Sequence, residues 1–200
     1  MKHDLMEALD AMKKLSPLLL AGAGYLFTYY NSKVGKEREA QIDRVNEQVK
    51  DLYGPLLSCV TASKSAFDAM IGQHSPDGTK AGFVRAIKDN PDSSEAVAYR
   101  QWMKEVLQPL NDKAANAIVD HIDLIEASSV DPLLLKLVAY VKTVRVMMSR
   151  WEAGNTNEWS ALTYPDEVLP FVVAEFKRMK ERQAQLLGFN NRFQTIQSKL

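Results

Sequence analysis

One stretch of the chain, from Asp131 to Gly154, carries signals for both ends of a helix and for the face that it buries. Asp131 is a favourable N-cap, and Pro132 suits the first helical position, because the N–H that proline lacks would have no intrahelical partner there. Gly154 suits the left-handed residue that follows a helix. We therefore predict a central helix from Pro132 to about Ala153. Its apolar residues recur at spacings of three and four and indicate one buried face: Leu134, Leu137, Val141, Val144, Met148 and Trp151.

Similar apolar stripes recur along most of the sequence, whereas the alternating pattern of a half-buried strand does not. The sequence therefore predicts an all-α protein, with a bundle of about five or six helices that follows a long N-terminal helix. Pro55 and Pro109 are each expected to kink a helix or to begin a new one. The last helix is expected to begin between Pro165 and Pro170 and to end at Gly188.

The composition describes a folded protein without a dominant charge. Hydrophobic residues make up 46% of the chain, which is enough for a core, and 25 basic residues balance 25 acidic ones. Since there is no global positive field, the composition gives no reason to expect a nucleic-acid partner. The single cysteine, Cys59, excludes an internal disulfide and a thiolate metal cluster.

The residues from Leu15 to Tyr30 contain no charged side chain. We predict that this segment binds membrane lipid as a single-pass anchor, although a helix of this length covers only about 24 Å of a hydrocarbon layer roughly 30 Å thick. A buried or interfacial helix and a cleaved signal sequence are the alternatives. Lysines on the two flanks nearly balance, so the side that carries the soluble domain stays open, with the cytoplasm slightly favoured. The side chains expected to contact lipid are Leu18, Leu19, Leu20, Tyr25, Leu26 and Phe27.

Changes in polarity divide the chain into four parts: an amphipathic and membrane-anchor segment at 1–34, a polar helical arm at 35–54, the bundle at 55–188 and a tail at 189–200. The arm has one narrow apolar seam. A single helix of this kind is marginal in water, so the seam must pack either against the bundle or against another chain, which could be a second copy. The seam residues are Ile42, Val45, Val49 and Leu52.

No motif in the sequence specifies a reaction, and we expect no catalytic residue, no cofactor and no metal site. The most metal-like run, from Asp120 to Glu126, does not suit a site on one helix, because His121 and Asp123 would point about 200° apart. Trp159 lies among polar residues, where it could be an exposed anchor for a partner protein or could pack back on the domain.

These observations favour a membrane-anchored scaffold, adaptor or accessory subunit of a larger membrane complex. The alternative is a small-ligand-binding protein or an enzyme, with a pocket between the bundle helices to which residues such as His121 and Tyr140 contribute. A deep pocket with several converging polar groups would favour the alternative, whereas a flat surface with exposed aromatic residues would favour assembly.

Overall fold

The computed structural model describes residues 2–126 and 130–189, with side-chain surroundings from residue 24 onward. The expected loop at 127–129 and the tail residues 190–200 lie outside the described residues. Within the described ranges every regular element is helical, which confirms the all-α prediction. The elements are α1 (Lys2–Glu47), a first π-helical segment (Gln48–Tyr53), α2 (Gly54–His74), α3 (Lys80–Asp89), α4 (Ser94–Trp102), a second π-helical segment (Met103–Leu107), α5 (Gln108–Asp120), a 3₁₀ turn (Ile122–Leu124), α6 (Pro132–Glu152) and α7 (Val168–Leu187).

The chain divides into two compact units, Met1–Asp43 and Arg44–Leu200. The first contains most of α1, and the second contains the bundle. The expected arm at 35–54 is therefore shared between the units, and its second half belongs to the folded bundle. Val45 and Leu52 are fully buried there, which explains why the second unit begins before the arm ends.

The N-terminal helix does not support the prediction of a single-pass span. Among the described residues, no helix combines the length and the apolar character that crossing a bilayer requires. The reason is in the composition of 15–30, where glycines, tyrosines and hydroxyl residues dilute the leucines. Tyr25, Leu26 and Phe27 are between 64% and 72% exposed. The side chains of Leu18, Leu19 and Leu20 lie outside the described part of the structure.

The helix α6 begins and ends where its sequence predicts. The Asp131 carboxylate accepts a hydrogen bond of 2.8 Å from the Leu133 backbone N–H, and Gly154 adopts a left-handed φ of 92°. Four predicted stripe residues are completely buried: Leu134, Leu137, Val141 and Val144. The buried face continues through Met147, which is 3% exposed, whereas Met148 is only half buried.

The predicted central position of α6 is not what the packing shows. α2 packs against α3, α4, α5 and α7, whereas α6 packs mainly against α5. Most buried apolar residues of the second unit form one core, to which α2 contributes Leu56, Val60 and Met70. A smaller cluster joins Leu52 and Tyr53 to Leu124 and Met179 near the start of α2.

Both π-helical segments end two residues before a proline. The Gly54 N–H donates to the Val49 carbonyl and the Gln108 N–H donates to the Met103 carbonyl, and each bond spans five residues instead of four. Pro55 and Pro109 then occupy the first turn of α2 and of α5. Proline cannot supply an N–H and its ring crowds the carbonyl four residues earlier, so a wider turn lets the helix continue past it. The predicted breaks are therefore π turns within continuous helical stretches.

Candidate functional site

A cavity of about 930 Å³ lies within the second unit, between α2, α3, α4, the second π-helical segment, α5, α6 and the loop at 153–167. Its lining includes fully buried side chains such as Phe83, Met103 and Met147, and also exposed ones such as Leu162. The cavity therefore extends from the core of the bundle to its surface.

One face of α3 forms the first wall of the cavity. Thr79 is the N-cap of this helix, and its hydroxyl accepts a hydrogen bond of 2.9 Å from the Gly82 N–H. The lining residues of α3 recur at spacings of three and four, so they share one side of the helix. Apolar side chains occupy the middle of this face, and a lysine lies at each end: Lys80, Phe83, Val84, Ile87 and Lys88.

The second wall consists of Tyr99, Met103, Leu107 and Asn111, each four residues after the previous one. On a regular α-helix with 3.6 residues per turn, this spacing would carry the side chains progressively around the helix. Here the π-helical segment Met103–Leu107 lies in the middle of the run, and a π turn holds more residues than an α turn. The wider turn therefore keeps all four side chains on the cavity side.

A buried polar pair interrupts the apolar lining where α2 meets α5. The Ser63 hydroxyl donates to the Asn111 Oδ1 at 2.9 Å, and both residues are about 95% buried. Within the described residues, the Asn111 side-chain amide donates to no other group. This amide can therefore donate to an acceptor on a ligand in the cavity.

The loop at 153–167 forms the side of the cavity opposite the bundle core. The Trp151 indole N–H donates to the Glu158 carbonyl at 2.8 Å, and the Arg150 guanidinium donates to the Glu158 carboxylate at 2.7 Å. At the other end of the loop, the Lys80 ammonium lies 3.1 Å from the Asp166 carboxylate. These contacts attach the loop to α6 and to α3.

Tyrosine and tryptophan rings surround the part of the cavity beside this loop. Trp159 stacks on Tyr99, and Tyr164 meets Tyr140 edge to face with ring centroids 5.3 Å apart. Burial raises the pKa of Tyr140 to about 12 and also raises the pKa values of Tyr99 and Tyr164. These hydroxyls are therefore neutral donors near pH 7. The Tyr164 hydroxyl is buried and has no hydrogen-bond partner among the described residues.

Two of the residues singled out from the sequence line the cavity and one does not. Tyr140 contributes its ring and hydroxyl, and Trp159 packs back on the domain as part of the wall. His121, the other residue named for a pocket, is the C-cap of α5 and is not among the lining residues. Within the described ranges, no group of three or more His, Cys, Asp or Glu side chains could hold a metal ion.

The predicted partner-binding seam contacts the chain's own residues for most of its length. Leu52 belongs to the small cluster with Tyr53, and Val49 packs against that cluster. Val45 is 3% exposed, and Ile42 is half buried. Binding of another chain through these side chains stays a prediction, and Val45 and Leu52 would have to leave buried positions to take part in it.

The wall on α3 is the part of the site that sequence reasoning missed, although its signal was present. Its spacing of three and four was visible in the sequence, but the residues could not be assigned to a cavity before the neighbouring helices were placed. Comparison with protein-family models, with curated proteins and with solved structures gives no match for this chain. The interpretation of the cavity therefore depends on its own geometry.

Proposed function

We propose that the bundle is a small-molecule-binding domain whose ligand occupies the cavity between its helices. The cavity itself supports this proposal most directly. Its volume of about 930 Å³ lies near the upper end of the range of about 300–1,000 Å³ that is typical of small-molecule and cofactor sites. A ligand larger than a single amino acid would fit such a space.

The chemistry of the lining agrees with such a ligand. Small-molecule sites combine mainly apolar and aromatic walls with a few placed polar groups. Here the walls carry aromatic rings such as Phe83 and Trp159, and Asn111 and Tyr164 offer hydrogen-bond donors without partners among the described residues. The apolar walls would supply affinity, and the donors would select ligands with a suitably placed acceptor.

Binding of N-phenyl-1-naphthylamine, a neutral aromatic probe whose fluorescence rises in apolar surroundings, tests the proposal. Ala139 is an exposed residue of α6 that lines the cavity, so Ala139→Trp would obstruct the space without crowding the core. Ala81→Trp makes the same replacement on an exposed position of α3 outside the lining. We expect the full-length protein and Ala81→Trp to bind the probe and Ala139→Trp to bind it about tenfold more weakly or not at all. Equal binding by both variants, or no binding by the unmodified protein, would contradict the proposal.

The second candidate function is that of a scaffold, adaptor or accessory subunit attached to a membrane, and exposed side chains of α1 support it. Tyr25, Leu26, Phe27, Tyr29 and Tyr30 are each between 57% and 72% exposed. Large apolar side chains grouped in this way mark sites of membrane or protein contact, and tyrosine favours the interface between lipid and water. We propose that 15–30 contacts a lipid surface through these rings. Because the site in the bundle is separate, the two candidate functions are compatible.

Sedimentation with lipid vesicles tests this second candidate. The full-length chain and a variant that combines Tyr25→Ser, Phe27→Ser and Tyr30→Ser would be compared, with Val97→Ser and Val119→Ser as a control for exposed apolar positions in the bundle. We expect the control to sediment with the vesicles as the unmodified protein does and the aromatic variant to stay in the supernatant. Failure of the unmodified protein to sediment would exclude lipid contact, and a dimer or larger species in light scattering would instead assign the rings to self-association.

A further inference from the structure

We infer that the ligand of the cavity is an anionic amphiphile, with an apolar body inside the bundle and a negatively charged group at the lysines of the cavity mouth. The cavity mouth is the exposed part of the lining and includes Lys64, Lys80, Lys88, Lys136 and Asp166. This inference rests on the proposed function, since it names the class of ligand for the same site.

The charges at the mouth favour an anion. Four lysines and two carboxylates, those of Asp166 and Glu167, line the cavity. Lys64 pairs with Asp68, and Lys80 pairs with Asp166. The ammonium groups of Lys88 and Lys136 form no ion pair and donate no hydrogen bond within the described residues. The chain as a whole has no net charge, so this local excess of positive charge is a property of the site.

The distribution of polarity gives the ligand its orientation. The buried lining is mainly apolar, with Ile87, Met103 and Leu107 each at most 3% exposed. Burying a charged group among such side chains without a partner would be strongly unfavourable, whereas the lysine ammonium groups lie near solvent. The apolar body therefore belongs in the interior, and the anionic group belongs at the mouth, where ion pairing requires little desolvation.

Asp166 modulates the charge that a ligand meets at this mouth. Its carboxylate lies 3.1 Å from the Lys80 ammonium. The same ammonium lies over the Phe67 ring, 5.6 Å from the ring centroid. An anionic ligand group would compete with Asp166 for this ammonium. Removing the Asp166 charge should consequently strengthen the binding of anions and leave the binding of neutral ligands almost unchanged.

Two probes with the same aromatic body separate charge from shape. The anionic 8-anilinonaphthalene-1-sulfonate and the neutral N-phenyl-1-naphthylamine differ by the sulfonate group, and both would be titrated into the full-length protein. The test variant combines Lys88→Gln and Lys136→Gln, and the control combines Lys50→Gln and Lys142→Gln, two exposed lysines outside the cavity lining. Both double variants change the net charge equally, so a difference between them reports position.

The unmodified protein should bind the anionic probe more tightly than the neutral probe, and the preference should shrink as salt concentration rises. We expect the double variant Lys88→Gln, Lys136→Gln to bind the anionic probe roughly threefold to tenfold more weakly, because exposed ion pairs each contribute little to affinity. Its affinity for the neutral probe should be unchanged. Asp166→Asn should bind the anionic probe about twofold to fivefold more tightly. The control variant should resemble the unmodified protein.

The outcomes distinguish this inference from the proposed function. Suppose that the unmodified protein binds both probes and that Ala139→Trp binds neither. If neither the Lys88 and Lys136 variant nor Asp166→Asn then changes the ratio of the two affinities, the cavity binds small molecules without preference for an anion. In that case the inference is wrong. If Ala139→Trp leaves both probes bound, the proposed function itself fails. A lysine effect that the Lys50 and Lys142 control reproduces would reflect net charge and would also overturn the inference.

Discussion

The indole of Trp159 stacks on the ring of Tyr99, with centroids 6.0 Å apart and planes inclined by 26°. This contact joins the loop at 153–167 to α4, and Phe83 and Trp151 meet the same tyrosine edge to face. The partly buried ring of Tyr99 therefore contacts three other aromatic rings, of which Phe83 and Trp159 also line the cavity. Of the two alternatives that the sequence left open for Trp159, the structure has the one in which the ring packs back on the domain.

Replacement of Trp159 by alanine should loosen the loop and widen the cavity. We expect a loss of about 1–2 kcal/mol in the free energy of unfolding, because the stack and its buried area disappear, together with weaker binding of N-phenyl-1-naphthylamine. Urea denaturation and probe titration measure the two effects. Trp159→Phe, which keeps an aromatic ring, should recover most of both, and equal behaviour of the alanine and phenylalanine variants would argue against the stack.

Two glycines of α2 should respond in opposite directions to alanine. A Cβ on Gly54 would lie 2.5 Å from the Val49 carbonyl oxygen, which belongs to the π turn, so Gly54→Ala should destabilise the protein by about 1–3 kcal/mol. A Cβ on Gly72 would meet no atom within 4 Å, and Gly72→Ala should stabilise the helix by about 0.5–1 kcal/mol. Thermal unfolding of the two variants gives the signs. A stabilised Gly54→Ala would show that the π turn is dispensable.

Charge in the centre of α6 should prevent folding, and charge on its outer face should not. Leu137 is completely buried and Leu135, two residues earlier, is 48% exposed. Leu137→Asp would bury an unpaired carboxylate and should cost about 4 kcal/mol or more, whereas Leu135→Asp should cost at most about 1 kcal/mol. Far-ultraviolet circular dichroism during denaturation distinguishes them. Similar stability of the two variants would mean that the buried face of α6 is assigned incorrectly.

Alkaline pH should destabilise the bundle through Tyr53. Burial, followed by the charge of Glu175, raises the pKa of Tyr53 from 10.0 to about 12. Between these values the unfolded chain has lost the phenolic proton and the folded protein keeps it. The contribution of Tyr53 to stability is therefore fully present below pH 10 and is lost as the pH rises toward 12. The slope for one such group approaches about 1.4 kcal/mol per pH unit. The free energy of unfolding, measured across this window, should fall less steeply in Tyr53→Phe than in a control such as Tyr30→Phe, and equal slopes would refute the assignment.

Helix limits were predictable where the signal is local. Asp131, Gly154 and Gly188 act through their own backbone and neighbouring residues, and the structure places helix ends at all three. The apolar stripe of α6 was predictable for the same reason, since helical geometry fixes which residues share a face. The position of α6 in the bundle was not predictable, because the helices that pack against α6 depend on how all the other helices are arranged.

The cavity shows why the site was harder to predict than the fold. Its walls come from several helices and a loop, and Ser63 meets Asn111 across 48 residues of sequence. Tyr140 was named as a pocket residue, whereas nothing in the sequence marked Lys88 or Lys136 as part of a cavity lining. A charge-free run was also an incomplete guide to 15–30, because absence of charge does not give a segment enough apolar character to span a membrane.

Each of the two π turns holds one residue more than an α turn does. Deleting a single residue between Met103 and Leu107 should therefore restore ordinary i to i+4 bonding without turning the residues that follow around the helix axis. The run from Tyr99 to Asn111 would then have spacings of four, three and four, which are those of an α-helical stripe, so Asn111 would stay on the cavity side. Relatives of this chain should consequently tolerate the loss of one residue at a π turn more readily than a gap elsewhere in α4 or α5.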